Sequence, residues 1–162
     1  MYDPRVIANH VLEEAWNRDI DLTQVDIQKI VYFLNGHHLV EHGTPMVEGE
    51  FEAWEYGPVQ RILLDSFRRF EDGPITEFAV AFDPIRRKRK TLPSISSNSV
   101  SETIDRFLDD YLEMGAFDMV DITHDENTPW SVTMQEAKHS ANIGMRISSE
   151  LIRERFERKA VY

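Results

Sequence analysis

The 162-residue sequence contains no cysteine, which excludes a disulfide framework, a thiolate metal site and a cysteine nucleophile. Basic residues are scarce, with 18 lysines and arginines against 29 acidic residues and a net charge of −11. Such a chain repels the phosphate backbone that supplies most non-specific affinity for nucleic acid, so nucleic acid is not an expected partner. No apolar run approaches the roughly 18 residues that suggest a membrane span. The opening MYDPRVIANH lacks the basic-then-apolar build of a secretion signal. The expected compartment is the cytoplasm, with no membrane partner. The seven glycines never fall in a G-x-G-x-x-G or G-x-x-x-x-G-K-[ST] spacing, so no nucleotide cofactor is expected.

What is present points to one mainly α-helical domain over residues 1–162 with a small β-hairpin or short antiparallel sheet. Asp3 followed by Pro4 predicts a helix start, and Ile7, Val11, Leu12 and Trp16 continue it to about Arg18. Thr23 with Asp26 opens a second, longer helix that Gly43 ends; its apolar residues lie on more than one side, which predicts a central position. Met46 to Trp54 is expected to be extended and to pair with Ile75–Phe82. Gly57-Pro58 is expected to open a third helix through Phe70. Residues 83–99 hold two prolines, the run RRKRK and a serine cluster, and predict a mobile surface loop. Ser99 with Glu102 reads as a capping box for a helix to Gly115. Further helices are expected over Ala116–Thr123, from Thr128-Pro129 and over Ser148–Lys159.

Charge is segregated. Outside Arg86, Arg87, Lys88, Arg89 and Lys90, 13 basic residues face 29 acidic ones, leaving −16. The basic run is either a solvated loop or a dock for an acidic or phosphate-bearing partner, and it lacks the interleaved aromatics that stack bases. HLVEH fits H-x-x-E-H, which aims His38 and His42 from one helix face with Glu41 as proton acceptor. A zinc hydrolase on these residues is the alternative enzymatic reading. Against it stand the missing third ligand and the helix dipole, which by itself favours histidines at a C-terminus. ITHDENTPW places His124 before a helix start but sets no serine beside it as a nucleophile. AWEYGPV crowds Trp54 and Tyr56 at a turn, where they serve either as core anchors or as a rigid docking surface.

Three segments, VIANHVLEEA, LTQVDIQKIVYFLNGHHLVEHGTPMVEGEFEAWEYGPV and ITHDENTPW, resemble the Panacea domain, also called the SocA-like or phage-associated (GepA-type) antitoxin family. The resemblance rests on Ile7, Ala8 and Asn9; on Ile27, Lys29, Ile30, Tyr32 and Phe33; on Phe51, Ala53, Trp54, Gly57, Pro58 and Val59; and on Thr123, His124, Pro129 and Trp130. Isoleucine replaces leucine at positions 27, 30 and 122, a volume-conserving change. Residues 82–99 lie outside the family pattern. The resemblance implies a non-enzymatic antitoxin that binds a cognate toxin. It extends to an adaptor role, in which a AAA+ protease is a second partner. Trp54, Tyr56 and Arg86 to Lys90 are the expected partner-binding residues.

Overall fold

The computed structural model describes residues 1–83, 85–138 and 145–158. Helix α1 (Pro4–Trp16) leads to α2 (Gln24–His42), β1 (Phe51–Trp54), β2 (Gly57–Val59) and α3 (Arg61–Phe67), with a 3-10 turn at Arg68–Phe70. A second pair of strands, β3 (Ala81–Asp83) and β4 (Lys88–Lys90), precedes α4 (Asn98–Glu113), α5 (Ala116–His124), α6 (Pro129–Glu136), β5 (Arg146–Ile147) and α7 (Ser149–Arg158). The fold is mainly α, as expected, with two small antiparallel sheets. No helix among the described residues is long and apolar enough to cross a membrane.

Helix α2 forms because both its ends are chemically marked. Thr23 and Asp26 close a capping box, and Gly43 ends the helix at φ 69°, a left-handed conformation that glycine takes without a Cβ penalty. Between these ends Ile27, Ile30, Val31, Tyr32, Phe33 and Leu34 are all buried, because α1, α3, α4, α5, α7 and β2 pack around it. Tyr32 meets Phe51 edge-on at 5.2 Å, and Phe33 stacks on Tyr111 at 4.9 Å. A helix with apolar residues on more than one side has to be central, and this one is.

Side-chain amides on the first two helices hold the extended segments. Asn9 donates to the Ala79 carbonyl at 2.9 Å and accepts from the Ala79 amide at 2.8 Å, so it pairs with backbone as a neighbouring strand would. Gln28 does the same to Gln60, at 3.1 Å and 2.7 Å. Asn35 accepts from the amide of Met46 at 2.9 Å. Removing one such partner strands two backbone groups in a buried setting. Asn9→Ala is therefore expected to destabilise by about 1–3 kcal/mol, read as a lower urea midpoint at unchanged m-value.

The structure corrects four expectations. Gly57-Pro58 does not start a helix; both residues lie in β2, which pairs with β1 in the register Ala53 to Pro58, and α3 begins at Arg61 behind a Gln60 cap. Proline is tolerated there because β2 is an edge strand, where a missing N–H breaks no second ladder. The other neighbour of β1 is β5, not Ile75–Phe82. Residues 83–99 are not wholly loop, since Lys88–Lys90 pairs with Ala81–Asp83. Asp83 makes that hairpin possible by accepting from the amides of Ile85 and Arg86, both at 3.0 Å. Finally, Ser99 lies inside α4, whose cap position is Ser97. The Tyr2 hydroxyl takes the amides of Ser96 and Ser97, each at 2.9 Å, and so sets where that helix begins. The expected end of the last helix at Lys159 lies outside the described residues.

Candidate functional site

Lys29, the β1–β2 turn and the segment around Thr123 and Trp130, three of the stretches that the sequence singles out, converge on one side of α2. Lys29 projects from the helix into the protein, is 1% exposed, and donates from Nζ to the Pro58 carbonyl at 2.9 Å. Above it, Gly57 turns at φ 92°. A Cβ at that position would sit 2.6 Å from Thr123 Oγ1 and 3.1 Å from Lys29 Nζ. The lysine, the glycine and the threonine thus form one close-packed node between α2, β2 and α5.

Around the node the aromatic residues are fixed in place. Trp130 donates from Nε1 to the Trp54 carbonyl at 2.7 Å and stacks on His124 at 4.0 Å. Thr128 caps α6 by accepting from the Ser131 amide at 3.1 Å, which holds Pro129 and Trp130 at the helix start. Trp54 donates to Glu52 at 2.8 Å and lies under the Arg61 guanidinium. Trp54 is nevertheless 38% exposed, and Tyr56 at the tip of the β1–β2 turn is 66% exposed. Trp54 therefore both braces the turn through its backbone and stays partly open to solvent. Beneath the turn lies a cavity of about 240 Å³ bounded by α2, α3 and the two aromatics.

Burial of Lys29 without a neighbouring carboxylate lowers its pKa to about 7. The unfolded chain keeps a lysine near 10.4. From about pH 7 to about pH 9 the unfolded chain therefore holds a proton that the folded chain has released, and stability rises with pH. The penalty is largest below pH 7, where both states are charged. Relative to Lys29→Met, the wild type is expected to gain up to about 1.4 kcal/mol per pH unit across that window in urea titrations. A constant difference between the two proteins would contradict a buried, uncompensated ammonium.

The HLVEH residues are placed otherwise than a metal site needs. His38 is buried and donates from Nδ1 to the Thr44 carbonyl at 2.8 Å. His42 stands beside it with ring centroids 4.6 Å apart. Glu41 points to α4, where it accepts from Thr103 Oγ1 at 3.0 Å and pairs with Arg106. No group of three or more potential ligands gathers among the described residues. Among the described residues no third ligand joins His38 and His42, so the H-x-x-E-H pattern is not completed into a zinc site there. His37, which the pattern does not include, is drawn into the core instead, bonded to the Tyr111 hydroxyl at 2.6 Å and stacked on Phe107, with its pKa lowered to about 4 by burial.

The basic run is exposed on the second hairpin, at some remove in sequence from the node. Phe82 and Ile85, 64% and 92% exposed, stand among its cations.

The profile of the family described as "Antitoxin SocA-like, Panacea domain" matches residues 27–131. The chain belongs to the SocA-like antitoxin family. Antitoxin SocA from Caulobacter vibrioides (strain NA1000 / CB15N) is 30% identical over 154 residues, which cover 95% of this chain and 82% of that protein. No solved structure matches. Membership in the Panacea family supports an antitoxin role in a toxin-antitoxin system and suggests a non-enzymatic one. Within the matched span fall Lys29, Gly57 and Thr123, the residues of the node, and Pro58 and Trp130 beside it. Gln24 and Gln28 escaped the sequence reading, because in a helix that also carries Asp26, Asn35, three histidines and Glu41 a further polar residue gives no distinct signal.

Proposed function

We propose that this protein is a cytoplasmic antitoxin that neutralises its cognate toxin by direct protein contact. The observation that carries the reading is the pre-built β1–β2 turn, which presents Trp54 and Tyr56 to solvent from a backbone already tied to Lys29 and Trp130. Aromatics held rigid before binding lose little entropy on docking and dominate binding energy. A cleft of about 480 Å³ adjoins the turn through Glu52; Asp3, Glu48, Glu50, Glu52 and Asp65 outnumber Arg61 and Arg146 on its walls, and this acidic excess suits a basic stretch of the toxin.

The second hairpin carries the opposite charge, with Arg86, Arg87, Lys88, Arg89 and Lys90 all exposed. Two surfaces of opposite sign allow two partners at once. That favours an adaptor role, in which one surface holds the toxin and the other a AAA+ protease; degradation of the toxin by the protease in a reconstituted reaction tests it.

Reversing Arg86, Arg87 and Arg89 to glutamate should leave the melting temperature nearly unchanged, because these side chains bury nothing. It should weaken binding of the partner that the hairpin serves by roughly 10–100-fold at low salt, with the difference shrinking as salt screens the charges. Unchanged binding of toxin and protease at every salt concentration would remove the hairpin from the interaction.

A further inference from the structure

The cavity under the aromatic turn contains chemistry that antitoxin membership does not explain. Gln24, Gln28 and Lys29 line it from α2, Trp54 and Tyr56 from the turn, and Leu64 from α3. Its volume of about 240 Å³ falls below the roughly 300–1,000 Å³ of small-molecule pockets, so it suits a single side chain better than a cofactor.

Lys29 carries three N–H donors, and among the described residues the Pro58 carbonyl is their one acceptor. No carboxylate there pairs with it, although a buried cation is costly without a counter-ion. The Gln24 amide oxygen on the same wall is likewise buried without a hydrogen-bond partner; as an acceptor it calls for an N–H of the incoming segment rather than for its carboxylate. The other titratable groups lining the cavity are Glu55 and Tyr56, both on the exposed turn.

We propose that this cavity receives the carboxylate of an aspartate or glutamate of the bound toxin, which pairs with Lys29 while Trp54 and Tyr56 close over its aliphatic stem. The proposal rests on the reading of the turn as the toxin-binding surface. Charge selects the occupant. An apolar side chain would leave the ammonium unpaired, and a cationic one would be repelled by it. A ring of aromatics that excludes water around one charge pair is also the arrangement in which such a pair contributes most to affinity and specificity.

Two experiments separate the cavity from the partner. In the first, the full chain with ¹³Cε-labelled lysine is titrated with 3-phenylpropionate and with its neutral amide, and the Lys29 signal is identified by its loss in Lys29→Met. The acid is expected to shift that signal saturably and to bind at least about tenfold more tightly than the amide. Binding should weaken in Trp54→Ala, on the exposed rim, and persist in Glu55→Gln. Equal binding of acid and amide, or no shift up to about 50 mM, where even a millimolar site is filled, would overturn the proposal. In the second, the co-purified toxin complex is treated with a water-soluble carbodiimide, which couples an amine to a touching carboxylate as an amide. A Lys29 crosslink to a toxin aspartate or glutamate is expected in peptide mass spectra. Crosslinks that leave Lys29 free would overturn the toxin as the source of the carboxylate. Failure of the toxin to co-purify would instead count against the proposed function, with the first titration still deciding what the cavity binds.

Discussion

Gly57→Ala is expected to lower stability by about 3 kcal/mol or more and to abolish neutralisation of the toxin. Two costs combine. At φ 92° any Cβ is strained, by roughly 1–2 kcal/mol or more. The new methyl would also press on Thr123 Oγ1, in a residue only 2% exposed, and on the Lys29 side chain beside it, adding about 1–3 kcal/mol of overpacking. Thr123→Ala in the same chain should recover the Thr123 part of the second cost and leave the first and the contact with Lys29. Urea midpoints of the single and double variants measure the split. A Gly57→Ala protein with a wild-type midpoint would mean that the node is not close-packed.

Gly36→Ala sets two effects against each other. By helix propensity alone, alanine inside α2 should stabilise by about 1 kcal/mol. Yet its Cβ would run into the ring of Phe156, a residue of α7 that is 5% exposed and sits edge-on to Tyr32 at 5.7 Å. The ring has to move, and α7 with it. The packing term is the larger, so a net loss of about 2–4 kcal/mol is expected, lowering the melting temperature by about 5–15 °C for a chain of this size. Truncating the ring should offset part of the loss: Gly36→Ala with Phe156→Ala is expected to be less destabilised than the sum of the two single variants. A higher melting temperature for Gly36→Ala would show that α7 is loosely held.

Helix positions were legible wherever the signal is local. Asp3-Pro4, Thr23 with Asp26, Gly43 and Thr128-Pro129 each act on backbone within a turn of themselves, and each marks a helix end in the structure. The β elements were harder because their partners are distant or brief. β5 is two residues long, and its Ile147 and Arg146 pair with the distant Phe51 and Glu52, which no periodicity announces. Gly57-Pro58 carried the composition of a helix start, and only the pairing with β1 makes it a strand. The family motifs gave the identity of Lys29, Gly57 and Thr123 but not their meeting, which depends on α2, β2 and α5 packing together. The side-chain clamps follow the same rule. Asn9 and Ala79 are 70 residues apart, and nothing near either one signals the other.

The most direct measurement is co-expression of this chain with the product of the neighbouring gene, the candidate toxin, scored first by growth and then by affinity purification. The expected result is that the toxin alone arrests growth, that this chain restores it, and that the two proteins co-purify in a fixed ratio. The Gly57→Ala variant should lose both rescue and co-purification. Rescue of growth by a chain that never co-purifies with the toxin, at any salt concentration, would contradict neutralisation by direct contact.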